Sequence, residues 1–597
     1  MITRKTTRDM PLQHEAETKK FDWRLLRRLL AYFKPHLKSM SFMYVLALIN
    51  VGCTLAIPIV LKTGIDDYIA QGDAQGLLRI AGLLVGLVIV LFVSARGQGI
   101  LVMKIGYRVL YYLRRDLFTH LQFLSFRYFD TQRAGQIMSR LTNDVQVLEE
   151  LLRAGLDTIL VDIVMLVGIT IAMVSLDARM SVILFVTVPL FAVVVFVLRR
   201  RITEAGRGIQ RRLSSVNAFL NESISGIKVI RSFAREEENS ENFRSVNDEY
   251  YAQTRTFYPL IAFFWQSVAT LATLGTALVL LAGGILLSGG LVTLGVIAAF
   301  LSYINRFFQP MQKLSNMINQ LSRAMASAER IFELLDTEAD VQDEKNAVRG
   351  VKLKGNVEFS DVWFSYERDE FVVQELSLSV TPGETIAIVG PTGAGKTTII
   401  NLLCRFYDPV RGTVLVDGHD LRELSQTDYR SQIALVMQDA RIFSGTVLEN
   451  IKYGKPDATL DEVRAVAESM GISSMIASFP NGYETEIGER GSSLSLGQRQ
   501  LIAFARALIR DPRILILDEA SAYIDSATEE LVQDAMKRMS ENRTTFIIAH
   551  RLATIRDADR IVVMKHGRVV ETGSHTELVE RNGEYAELLR NQYAAGV

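Results

Sequence analysis

The sequence is poor in cysteine and histidine and carries no excess of either charge. Its two cysteines, Cys53 and Cys404, lie far apart in 597 residues, which excludes a disulfide framework and suits a reducing cytoplasm. No His or Cys cluster surrounds either one, so neither belongs to a metal site. Lys plus Arg (66) balance Asp plus Glu (66), so no global field points to nucleic acid. A cleavable signal is missing too: residues 1–38 are polar and basic, with no short apolar core before a small-residue cleavage site. A single globular domain is excluded by length.

What is present changes character along the chain. Before about residue 325, apolar runs of membrane-spanning length recur; after about 350 the pattern is soluble α/β. A bilayer core needs ~20 apolar residues per helix. Six stretches fit: 39–61, 77–103, 157–176, 178–198, 258–283 and 290–312. The segments 1–38, 104–150 and 199–257 are rich in Lys and Arg, and the others are short and nearly free of them. This bias predicts both termini on the cytoplasmic face of the inner membrane. RLLRRLLAYFKPHLK (24–38) reads as a basic amphipathic elbow helix at that face. The two long basic connections keep helical periodicity and are expected to extend ~30 Å or more beyond the membrane. Among ionisable groups in the spans, Asp162 is the best candidate for a cavity-lining charge. Asp157, Arg96 and Arg306 are either functional or simply near the interface, the arginines snorkelling.

In the second half, a buried strand runs into GPTGAGKT (390–397) and then a helix, which is the phosphate loop in its required context. Backbone N–H groups from Gly390, Pro391, Thr392, Gly393, Ala394, Gly395, Lys396, Thr397 and Thr398 are the candidate cradle, short of the proline's own. Lys396 adds charge at the β/γ-phosphates, and Thr397 offers a hydroxyl to Mg²⁺. ILILDEA (514–520) ends a strand at Asp518, suited to the Mg²⁺ shell, and Glu519, able to orient or deprotonate water. FIIAHRL ends at His550, a γ-phosphate contact, and ALVMQD at Gln438, which reaches Mg²⁺ or water. Tyr366 precedes the loop and can stack on a base.

GPTGAGKT, Gln438, LSLGQ, ILILDE, SAYID and His550 occur in the order found in ATP-binding cassette (ABC) proteins, and the chain resembles a half-transporter of the exporter type. The resemblance covers residues 22–590. It implies a multi-domain fold: a six-helix all-α transmembrane domain with long cytoplasmic helical extensions, then an α/β P-loop nucleotide-binding domain. The expected boundaries are 1–38 for the N-terminal segment, 39–325 for the transmembrane domain, 326–355 for the linker and 356–597 for the nucleotide-binding domain. YFDTQRAGQIMSRLTNDV and ISGIKVIRSFARE resemble coupling-helix regions, near 125–140 and 222–236. The resemblance implies ATP and Mg²⁺ as cofactors and a second half-transporter as partner. Ser495, Gly497, Gln498 and Asp525 then serve a nucleotide held by that partner. Membrane lipids and a small hydrophobic or amphipathic substrate, of multidrug or lipid type, complete the partners, with no nucleic acid. A lipid flippase acting as a homodimer, or a peptide exporter, are the alternatives.

The usual signature of the family is LSGGQ, and here Leu496 replaces a glycine. That change is expected to restrict the backbone and add bulk near the opposing nucleotide. An altered signature beside an intact Asp518–Glu519 pair resembles one subunit of heterodimeric bacterial exporters, so a heterodimer is favoured over a homodimer.

Overall fold

A computed structural model describes residues 22–594 except 368–369, 489–490, 492, 519–525 and 550–551. Two compact units divide them: residues 22–121 with 135–336, and residues 122–134 with 337–594.

Among the described residues, the α-helices of the first half of the chain are α1 (Trp23–Ala31), α2 (Leu37–Thr63), α3 (Ala74–Phe123), α4 (Phe126–Thr131), α5 (Ala134–Ser139), α6 (Val145–Leu176), α7 (Ala178–Phe185), α8 (Thr187–Ser225), α9 (Ile227–Ser232), α10 (Glu236–Ser288) and α11 (Leu294–Asp336). Among the described residues, four helical stretches are long and apolar enough to cross a membrane: Lys34–Ile69, Ala74–Phe123, Ala178–Ser225 and Glu236–Ser288. Val161–Leu176 is a shorter apolar helix. The stretch expected as the sixth span lies in α11, which carries Arg306 and Lys313. α11 does not stop where a linker is expected from residue 326. Ala324, Ala328, Ile331, Phe332 and Leu334 are buried at helical spacing and carry it through Asp336.

The α2–α11 contact is set by one proline. Pro58 has no N–H, so the Thr54 carbonyl four residues earlier loses its helical donor. Arg306 of α11 donates to that oxygen at 3.0 Å, and the Tyr303 hydroxyl donates to the neighbouring Leu55 carbonyl at 2.5 Å. An unpaired carbonyl is costly in hydrocarbon, so Arg306 is committed to α2 rather than snorkelling. Arg306→Leu is expected to destabilise the detergent-solubilised protein by about 1–2 kcal/mol, read as a lower melting temperature. An unchanged melting curve would show that Thr54 needs no such donor.

Both ends of α11 are tied as well. The Asp66 carboxylate caps its start, accepting from the Gly295 N–H at 2.8 Å and the Thr293 hydroxyl at 2.5 Å. Arg28 of α1 grips its last residue, Asp336, through two bonds of 2.6 and 2.7 Å, and lies 4.2 Å over the Phe332 ring. Asp336 is ~60 Å along α11 from Leu294 at 1.5 Å per residue, about twice a hydrocarbon core. The Arg28 end of α1 is therefore anchored to the far end of α11. Asp162 is buried, with Lys313 Nζ 3.3 Å from its carboxylate. The Asp157 side chain lies outside the described residues.

Among the described residues, the second unit is built on the strands β1 (Val357–Phe364), β2 (Val373–Val380), β3 (Thr385–Val389), β4 (Arg411–Val416), β5 (His419–Asp420), β6 (Ile433–Val436), β7 (Gly445–Thr446), β8 (Glu486–Ile487), β9 (Ile514–Asp518), β10 (Thr544–Ile548), β11 (Arg560–Lys565) and β12 (Arg568–Gly573). The principal sheet has the order β12-β11-β3-β10-β9-β6, parallel except for β12. Its central strands are buried on both faces, which explains their unbroken apolar runs. A four-stranded antiparallel sheet, β2-β1-β4-β5, flanks it.

Candidate functional site

Parallel strands present their carboxyl ends on one edge, where α/β sheets bind ligands. Register places the sequence motifs there together. Ile548 of β10 pairs with Ile388 of β3 on one side and Asp518 of β9 on the other. Val436 of β6 pairs with Leu517, which brings the segment leading to Gln438 to the same edge. Gln438 is exposed there. Glu519, Asp525 and His550 lie outside the described residues; Glu519 follows Asp518 directly, and His550 follows β10 by two positions.

The phosphate loop joins β3 to the helix Lys396–Leu403. Two of its glycines are obligatory on steric grounds. At Gly390, φ is +153°, and a Cβ would lie 2.3 Å from the Met564 carbonyl oxygen. Gly395 caps the helix at φ +99°, a left-handed position that L side chains rarely adopt. Lys396 is largely buried and donates to the carbonyls of Gly390 at 2.7 Å and Pro391 at 3.0 Å. The lysine thus folds back over its own loop, poised at the mouth of the cradle. Burial pulls its ammonium below the ordinary lysine range, and the Asp518 carboxylate opposes that shift. An anionic phosphate arriving at the loop would favour the charged form further. Thr397 is exposed at the first turn and Thr398 is buried.

Tyr366 is fixed more tightly than its sequence context suggests. Its hydroxyl lies 3.2 Å from the Thr398 hydroxyl and accepts from Asn401 Nδ2 at 3.0 Å. Phe364 and Tyr407 pack edge-on to it at 4.9 and 5.2 Å. Asn401 and Tyr407 were not singled out by the motifs. The three-residue spacing from Thr398 puts Asn401 on the same helix face and is the signal that finds it. Nothing local to Tyr407 marks it.

The helix Leu496–Leu508 begins in a capping box. Ser495 Oγ accepts from the Gln498 N–H at 3.2 Å, and Gln498 Oε1 accepts from the Ser495 N–H at 2.9 Å. The expected backbone restriction at Leu496 does not arise: it is the first helical residue and keeps a negative φ. The position needs no glycine, and only side-chain bulk differs. Among the described residues, neither Ser495 nor Gly497 hydrogen-bonds to the phosphate loop; the helix packs on β6 and on the helices Val447–Lys452 and Ser526–Ser540. Ser495 at its N-terminus is exposed.

Comparison with known proteins settles what this arrangement belongs to. Residues 40–311 match the ABC transporter transmembrane region and residues 373–522 the ABC transporter domain. The ABC transporter ATP-binding protein YknV of Bacillus subtilis is 40% identical over 97% of this chain and 96% of its own. The chain belongs to the ABC transporter family. A fatty acid ABC transporter ATP-binding/permease protein of Mycobacterium bovis is 39% identical over 80% of this chain and 75% of its own. A solved bacterial Atm1-family ABC exporter with ATP bound superposes with a TM-score of 0.77 at 29% identity, covering 96% of this chain and 99% of the other. This ABC exporter thus combines a helical transmembrane domain with an α/β nucleotide-binding domain and is an ATPase coupled to transport.

Proposed function

We propose that this exporter moves hydrophobic or amphipathic compounds, lipid-like ones foremost, across the cytoplasmic membrane as one half of a dimer. Both termini and the nucleotide-binding domain face the cytoplasm. The carrying observation is a phosphate loop whose lysine is already poised over it, in a chain that also holds membrane-length helices. The 39% identity to a fatty acid transporter supports the lipid-like class.

The roles follow from the site. Lys396 and the loop N–H groups hold the ATP phosphates. The Thr397 hydroxyl, the Asp518 carboxylate and Gln438 are a hard oxygen donor set that fits Mg²⁺. The ion supplies charge neutralisation on the β- and γ-phosphate oxygens when bound. Glu519 orients or deprotonates the attacking water, and His550 holds the γ-phosphate. Ser495, Gly497 and Gln498 at their helix N-terminus, with Asp525, close on the nucleotide of the partner subunit. ATP acts by binding the closed pair more tightly than the open one.

Two features support a second half. The signature helix has no phosphate of its own chain to meet. Ile224, Ile227, Val229 and Phe233, around α9, are also exposed in a segment otherwise rich in charge. The bulk of Leu496 beside an intact Asp518–Glu519 pair favours a heterodimer. The test is to purify the chain alone and with its co-purifying partner, measure mass in detergent, and assay Mg-ATPase and labelled fatty acid transport in proteoliposomes. ATPase activity and transport that require the partner are expected. A stable, vigorously active homodimer would overturn the heterodimer, and failure of any amphiphile to stimulate turnover would overturn the substrate class.

A further inference from the structure

α4 has six residues, FRYFDT, far too few to hold a helix by itself. It lies between α3 and α5 in the chain yet belongs to the nucleotide-binding unit. Its anchors there are specific. The Phe126 ring stacks on Phe406 at 4.0 Å. Arg127 pairs through Nε with Asp340 at 2.8 Å and donates through Nη1 to the Tyr366 carbonyl at 3.2 Å. The same guanidinium lies 5.9 Å from the centre of the Tyr407 ring. Asp130, one turn on, accepts from the Tyr407 hydroxyl. Burial and the Asp130 carboxylate hold that hydroxyl above the usual tyrosine range, so it stays a donor.

These contacts converge on one residue. Tyr366 receives Arg127 at its carbonyl and Tyr407 against its ring edge, while Thr398 and Asn401 hold its hydroxyl. The helix thus reaches Tyr366 by two routes, directly at its main-chain carbonyl and indirectly through Asp130 and the Tyr407 ring. Only a planar fork serves Asp340 and the Tyr366 carbonyl together; a lysine ammonium is a single point on a flexible stem.

We infer that Arg127 is a positioning residue for the nucleotide base, fixing the Tyr366 backbone from α4 so that α4 and the base site sense each other. This rests on the reading of Tyr366 as the base-stacking residue. By linkage, whatever α4 does to base affinity, base binding does to α4.

A pure docking role for Arg127 would alter assembly or coupling but not discriminate between ligands with and without a base. The test therefore compares ATP with inorganic tripolyphosphate, each with Mg²⁺, binding to the assembled full-length transporter. Arg127→Ala is expected to weaken ATP roughly tenfold, the scale of a lost hydrogen bond to a charged group, and to leave tripolyphosphate unchanged. Arg127→Lys, which keeps charge but not the fork, is expected to show the same selective loss, and it serves if the alanine variant fails to assemble. Tyr366→Ala is measured alongside. If Tyr366→Ala lowers the ATP-to-tripolyphosphate preference and the Arg127 variants do not, the positioning role is wrong and the base site stands. An unchanged preference in Tyr366→Ala would remove the base-site reading and the proposal with it. Equal weakening of both ligands by the Arg127 variants would reduce Arg127 to a docking residue.

Discussion

Replacing Glu519 with Gln is expected to leave ATP binding intact and to cut turnover by about 10²–10⁴, the usual contribution of a general base. β9 is buried until Asp518, where the sheet edge opens toward the phosphate loop. Glu519 follows directly in sequence, and a carboxylate there is suited to take the proton of a water aligned with the γ-phosphate. An amide keeps the size and a hydrogen-bonding oxygen but is not a base. In the proposed dimer, which hydrolysis reopens, the variant is expected to accumulate in the closed state with nucleotide trapped. Steady-state phosphate release and retained radiolabelled nucleotide, both on the assembled transporter, check this. Turnover near the parent rate would remove Glu519 from the base role.

The second large effect lies at Lys396. Its ammonium satisfies the Gly390 and Pro391 carbonyls and sits beside Asp518 in a largely buried position. Lys396→Ala deletes a charged donor aimed into the cradle, and hydrogen bonds to charged groups are worth about 1.5–3 kcal/mol. ATP affinity is expected to fall roughly ten- to a hundredfold, with hydrolysis falling at least as far. Because β3 and the glycines of the phosphate loop are untouched, the folded unit should survive. The measurement is a binding isotherm with ATP, with a melting curve to confirm folding. Unchanged affinity would mean that the backbone N–H groups alone hold the phosphates. Lys396→Arg tests the same point from the other side, since a longer, forked cation does not fit the space between those two carbonyls.

Much of the site was legible because its determinants are local. The phosphate loop needs glycines at Gly390 and Gly395, where Met564 crowds the one and a left-handed cap fixes the other. A Ser and a Gln three apart before an apolar run already mark the capping box of Ser495 and Gln498. The parallel core strands announce themselves as unbroken apolar runs, and the membrane helices as long ones. What the local pattern does not reveal is conformational or long-range. Leu496 looked like a backbone restriction, but a first-turn helical residue needs no glycine. Arg306 looked ambiguous until Pro58, some 250 positions away, proved to leave a carbonyl for it to satisfy.

The amino-acid order alone determined the family, the nucleotide chemistry and the alternation of spanning helices and basic connections. The family and its nucleotide chemistry follow from motifs met in a fixed order along the chain, and the alternation of spans from hydropathy and charge. Only the tertiary structure decided that α4 packs with the nucleotide-binding unit rather than with the helices it links. It alone placed Arg127 on the Tyr366 carbonyl and Asp130 on Tyr407. A six-residue helix has no intrinsic stability, so its position is set by the partners it finds, and those lie more than two hundred residues further along the chain.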